Sequence, residues 1–147
     1  MEITVKPVET ADELRVAHDM FATVHSADDY AKGLRWLENC GARYPGYSKE
    51  HTRIAVCRPE IVGGLRMITD TIRLGEARLK MGGLGWVTTS ERHRNKGVCT
   101  RLMEDILAYM KRHRYHLSML FGVPDLYHRW KYVTTLAEYV IDVDTIE

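Results

Sequence analysis

Cysteine is scarce in this sequence. Cys40, Cys57 and Cys99 are the only three among 147 residues, widely spaced and odd in number, with no CxxC pair. That argues against a zinc knuckle or a disulfide framework and fits reduced thiols in the cytoplasm. Charge of one sign is also lacking: 21 Lys and Arg against 20 acidic residues leave a formal charge of +1. A basic nucleic-acid binder would usually show more imbalance. No apolar run approaches the roughly 20 residues of a membrane span, and nothing resembles a signal peptide. Repeats, linkers and low-complexity segments are missing as well, so no second domain is marked. The expectation is one soluble, cytoplasmic domain over residues 1–147, long enough to bury a core without disulfides or metals.

What is present is clear periodicity. Ile3 to Val8 alternates as a strand, and Thr10-Ala11-Asp12-Glu13 fits a capping box ahead of a helix from about Ala11 to Val24. His25 to Tyr30 is a polar break, followed by a shorter helix from Ala31 to Cys40 that Gly41 is expected to stop. Tyr44-Pro45-Gly46-Tyr47 reads as a turn. Strands are expected over Thr52–Cys57, Ile61–Leu74 and from Ala77 to near Thr89, with a hairpin tip at Gly75-Glu76. A helix from about Lys96 to Lys111 carries Met103, Ile106, Leu107 and Met110 on one face and ends in a basic cluster. Leu117 to Phe121 is a short strand, Pro124 opens a helix through about Trp130, and Val133 to Val143 is a last strand. The strand–helix–strand unit in the middle must be a right-handed parallel crossover. The fold class is therefore α/β (α+β): a mixed, mostly antiparallel sheet flanked by helices.

The segment with chemical content is Arg94-Asn95-Lys96-Gly97-Val98-Cys99-Thr100, where the long strand gives way to a helix. A helix N-terminus presents unpaired N–H groups and the positive end of its dipole, which suits a phosphate or pyrophosphate. Gly97 lets the backbone approach closely, and Arg94 and Lys96 add positive charge. The competing reading is an ordinary solvated basic turn. Cys99 at a helix start could be a reactive thiol, but a small residue beside a ligand explains it better. His113 and His116 belong to the helix-end cationic cluster rather than to a metal site, and no metal is expected. A nucleic-acid reading rests only on Arg92 to Lys96 and Lys111 to Arg114.

These residues resemble the GCN5-related N-acetyltransferase (GNAT) superfamily. Its signature of Arg or Gln, two residues, Gly, one residue, then Gly or Ala falls on Arg94, Gly97 and Cys99, a small residue in place of the usual Gly or Ala. The element order matches that fold along essentially the whole chain. The stretch from Leu120 to Tyr132, with Tyr127 inside it, looks closest to the acetyltransferase domain of the Eis-like branch. The resemblance implies direct transfer of an acetyl group from acetyl-CoA to a primary amine of a small molecule or protein. Asn95 to Thr100 would hold the pyrophosphate, Val87, Thr88 and Thr89 would pair with the pantetheine arm, and Tyr127 would be the general acid. Longer relatives of that branch use a chain-terminal carboxylate as base, which leaves Asp28, Asp29 and Glu38 as substitutes here. Trp36, Tyr44 and Tyr47 either line an acceptor pocket or pack the second helix. Lys131 stands where relatives commonly carry glycine; a left-handed conformation would cost a lysine roughly 1–2 kcal/mol, so a locally different turn is expected. The alternative is a non-catalytic acyl-CoA sensor. Partners are acetyl-CoA and an amine, with no nucleic acid and no membrane; homo-oligomer formation stays open.

Overall fold

The structure, a computed structural model, describes residues 2–123 and 125–135. Five strands form one sheet in the order β1 (Thr4–Pro7), β2 (Thr52–Cys57), β3 (Glu60–Leu74), β4 (Ala77–Thr89) and β5 (Leu117–Leu120). The first three pairings are antiparallel and the β4–β5 pair is parallel. Helix α3 (Val98–Arg112) makes the crossover between β4 and β5, and α1 (Ala11–His25) and α2 (Tyr30–Arg43) lie between β1 and β2 in the chain. This is the expected mixed sheet flanked by helices.

Local signals explain most boundaries. Thr10 accepts the Glu13 N–H at 3.1 Å, and the Glu13 carboxylate accepts the Thr10 N–H at 3.3 Å. That reciprocal capping box starts α1. Helix α2 begins at Tyr30 and passes through Gly41 to Arg43, so glycine does not stop it. A glycine inside a helix costs only about 1 kcal/mol. The stronger stop is Pro45, which disfavours the helical conformation at Tyr44.

The C-terminal expectations need correction. Residues 125–130 form turns and a single 3-10 turn, His128–Trp130, in place of a helix. Asp125 has φ +64°, a conformation that breaks helical continuity. Pro124 and residues 136–143 of the expected last strand lie outside the described residues; Val133 to Thr135 are not strand.

The sheet is buried on both faces. Against α3 pack Val62, Leu65, Met67 and Leu84 with Val98, Leu102, Met103 and Ile106. On the other face Ile54 packs with Phe21, Ala22 and Leu37 of α1 and α2. The 3.6-residue stripe of α3 is thus core, as its spacing indicates.

Each face also buries an arginine. Arg53, 5% exposed, lies 2.9 Å from Asp105 of α3 in an ion pair bent away from hydrogen-bond geometry, with Tyr109 under its guanidinium. Arg66, 2% exposed, is held by neutral groups. It donates to the Leu37 carbonyl at 3.3 Å and to Thr52 Oγ1 at 3.4 Å, meets His18 Nε2 at 3.0 Å and sits over the Tyr47 ring. Burial, and then the Arg66 charge, lowers the His18 pKa to about 4. His18 is therefore a neutral acceptor for Arg66 at pH 7.

The ring stays unprotonated in the folded chain down to about pH 4, whereas the unfolded chain takes up the proton near its ordinary value of about 6.5. Between those values the unfolded state binds more protons, so stability falls as pH falls. Urea unfolding at pH 7 and pH 5 should show this residue contributing a loss of about 2 kcal/mol. His18→Gln should lose correspondingly less over the same interval; an unchanged difference between the two pH values would contradict the assignment.

Candidate active site

The site arises from an extra residue in β4. Gly85 lies opposite Arg66 and Thr88 opposite Gly64. Trp86 and Val87 therefore face the single residue Leu65, a β-bulge that bends the strand. Trp86 takes φ +53° to make the bend. Pairing with β5 ends at Leu84–Leu120, so the two parallel strands separate from Gly85 onward. The backbone edge of residues 85–89 faces the gap.

Beyond β4, a 3-10 turn at Glu91–His93 carries the chain to Gly97, the N-cap of α3. Helix α3 starts at Val98, two residues later than its apolar pattern indicated, because Asn95 and Gly97 have φ +60° and +80°. Arg101 N–H to the Gly97 carbonyl is the first intrahelical bond. The N–H groups of Val98, Cys99 and Thr100 precede it and belong to the set that a helix leaves without internal partners. A Cβ at Gly97 would meet nothing within 4 Å, so the space over this N-terminus is open. The turn is open rather than packed.

Turn and splayed strand share one cleft of about 580 Å³. Val87 and Thr89 line it from β4, Arg94, Asn95 and Gly97 from the loop, and Val98, Cys99 and Thr100 from α3. Tyr127 with Leu126 and Arg129 closes the far side, and Val24 of α1 and His93 contribute the rest. Of the sequence-predicted residues, Thr88 and Lys96 do not line it. Strand alternation turns the Thr88 side chain to the opposite face, where it is 3% exposed. Lys96 points to solvent.

The titratable groups are poised in definite forms. Burial, then Cys99 and Tyr132 nearby, raises the Tyr127 phenol above its ordinary value, so it carries its proton at neutral pH. Burial also raises the Cys99 thiol, with Arg129 opposing. Cys99 is therefore a small protonated neighbour and not an activated nucleophile. Tyr127 is seated by Gly122: a Cβ there would stand 2.6 Å from Tyr127 Cε2. Trp130 and Tyr132 flank the ring at 6.0 and 6.1 Å. Lys131 adopts φ +66°, ψ +21°, so the turn keeps the left-handed form and the expected local difference is absent. Packing of the two flanking aromatics outweighs the steric cost at Lys131.

A second cavity, of about 440 Å³, lies on the other side of the bulge. Trp36 and Trp86, with ring centroids 5.1 Å apart, form one part of its wall, and Ser26, Asp28, Asp29, Lys32 and Gly33 the rest. Glu38 lines a separate cavity between α1 and α2. Tyr44 bonds the Thr69 carbonyl at 2.9 Å, and Tyr47 lies under Arg66; neither reaches the Trp36 cavity. Among the cavity-lining residues, sequence reasoning missed Trp86, His93 and Arg129, for which no local signal was available.

Comparison with known proteins follows the geometry. The chain resembles a probable N-acyltransferase from Enterococcus faecalis, with TM-score 0.72 and 17% identity over 88% of this chain and 32% of that one. An acetyltransferase from Trypanosoma brucei matches with TM-score 0.72 and 13% identity, over 97% of this chain and 100% of that one. Eis1 from Mycobacterium abscessus matches with TM-score 0.67 and 14% identity, over 89% and 31%. The chain thus spans about a third of the first and third of these proteins, and at such identities the likeness is one of fold. A sequence comparison with curated proteins yields no match. The family model for the acetyltransferase (GNAT) domain matches residues 4–134, and the chain belongs to that family.

Proposed function

We propose that the chain transfers an acetyl group from acetyl-CoA to a primary amine, with the donor in the larger cleft and the acceptor in the Trp36–Trp86 cavity. One observation carries the reading: a helix N-terminal cradle and a bulged strand edge open into the same cleft. Pyrophosphate would rest on the N–H groups of Val98, Cys99 and Thr100, with Arg94 and Arg129 supplying positive charge. The pantetheine amides would pair with the free edge of β4 at Val87 and Thr89 as an added strand would. Thr88 packs behind that edge, and Lys96 contributes only long-range charge.

An amine on the Trp36 side would reach the donor across the bulge. The aromatic pair offers a ring face to a cation, and Asp28 and Asp29 add negative charge. N–C bond formation and C–S bond cleavage need a donor for the leaving sulfur, and Tyr127 holds a phenolic proton in the cleft. A backbone N–H of the bulge would stabilise charge on the carbonyl oxygen, an effect worth about 2.7–4 kcal/mol where measured. The sensor reading drew on Lys131 and on the lack of an obvious base; the turn at Lys131 is retained, and the transferase reading is preferred.

Acetyl-CoA at one hundred times its Kd should stabilise the protein by about 2.7 kcal/mol, read as a rise in melting temperature. Arg94→Ala should weaken that response; no shift with acetyl-CoA or CoA would remove the donor-site assignment. Tyr127→Phe should keep acetyl-CoA affinity while CoA-thiol release in the presence of an accepted amine falls tenfold or more. Gly122→Ala should lower the same rate by displacing the ring. Binding without CoA release across a broad amine panel would favour the sensor.

A further inference from the structure

The two cavities flank the same two backbone segments, and His25 lies between them without lining either. Val24 lines the donor cleft and Ser26 the Trp36 cavity. Opposite them, Val87 lines the first and Trp86 the second. The residue between Val24 and Ser26 is His25, the last residue of α1, and its Nε2 lies 3.0 Å from Thr88 Oγ1. Thr88 donates its one hydroxyl proton to the Trp86 carbonyl at 3.0 Å. Its oxygen is then an acceptor, so Nε2 carries the ring proton. Assigned from this hydrogen-bond network, the neutral tautomer places the lone pair on Nδ1.

We propose that His25 is the base that takes the proton from the acceptor amine, its ring held against the bulge by Thr88. This rests on the transferase reading above. The acceptor, arriving as an ammonium, gives one proton to His25 Nδ1 and becomes nucleophilic. The N–C bond forms and the C–S bond of the thioester breaks. The sulfur takes the Tyr127 proton, and the second proton leaving nitrogen makes good that loss through solvent. The His25 proton passes to solvent, so one ammonium and one thioester yield one amide, one thiol and one proton. Thr88 acts through His25 and is a positioning residue.

The ring suits the task electrically. Its pKa is lowered by burial against the sheet, opposed by the Val87 carbonyl, so it is neutral at pH 7. The charged groups lining the two cavities beside it are Asp28 and Asp29 on the following turn, Lys32 on α2, and His93, Arg94 and Arg129. None of them contributes to that shift. Asp28 and Asp29 lie on the wall of the Trp36 cavity, where their charge would hold the ammonium.

The test uses His25→Gln and Thr88→Val in the full chain, with CoA-thiol release measured against pH, acetyl-CoA affinity measured separately, and the wild-type imidazole titrated by nitrogen NMR. His25→Gln should hold acetyl-CoA within twofold of wild type and lose a hundredfold or more of kcat/KM at pH 7. The loss should shrink as pH rises toward the pKa of the amine, and the acid limb of the wild-type profile should follow the ring titration seen by NMR. Thr88→Val should shift both that limb and the NMR titration, an effect that simple loosening of the fold would not produce. A His25→Gln rate within threefold of wild type, or an acid limb unchanged in that variant, overturns the proposal while leaving the transferase reading in place. Failure of the wild type to bind acetyl-CoA overturns the transferase reading and this one with it.

Discussion

The left-handed backbone at Trp86 is the constraint on which the site depends. A bulky residue at φ +53° within a strand stores roughly 1–3 kcal/mol of strain, and something must hold it there. Trp36 packs on its ring, and the Thr88 hydroxyl grips its carbonyl. The open cleft, the free strand edge and the two cavities flanking the strand all follow from one inserted residue.

The scaffold beneath the bulge is stiffened by its buried guanidinium groups in two different ways. Arg53 is balanced by a carboxylate on α3, so charge ties that helix to the sheet. Arg66 is balanced by a carbonyl, a hydroxyl, an imidazole and an aromatic face. That arrangement ties α1 and α2 to the sheet through groups that must stay neutral. An unpaired buried charge is costly unless its donors are satisfied, and here distributed neutral acceptors do the satisfying. The helices that carry Val24, His25 and Trp36 are thereby fixed relative to β4.

Much of this architecture is legible in the residues. Thr10 and Glu13 announce α1, the stripe from Met103 to Met110 announces α3, and Gly75-Glu76 marks the hairpin because two alternating runs flank it. The loop at Arg94 to Thr100 is legible as a basic, glycine-containing break between strand and helix. The bulge is not legible: Gly85-Trp86-Val87-Thr88 reads as continuous strand, and only the registry against Gly64, Leu65 and Arg66 shows the extra residue. Helix α2 outran its glycine because one glycine is a small cost and Pro45 is the stronger stop. The segment at Asp125 to Trp130 failed as a helix because Tyr127 seats against Gly122, a long-range contact that no local pattern encodes. Lys131 shows the same: the flanking aromatics set its backbone, against its own preference.

Among the described residues, the two cavities on either side of Trp86 and Val87 share no lining residue. Separate mouths have a kinetic meaning for the proposed reaction. Donor and acceptor can be resident together, neither having to leave before the other enters, and the raised Cys99 thiol offers no way station for the acyl group. Initial-rate plots for such a site are intersecting rather than parallel, and either product can depart through its own opening.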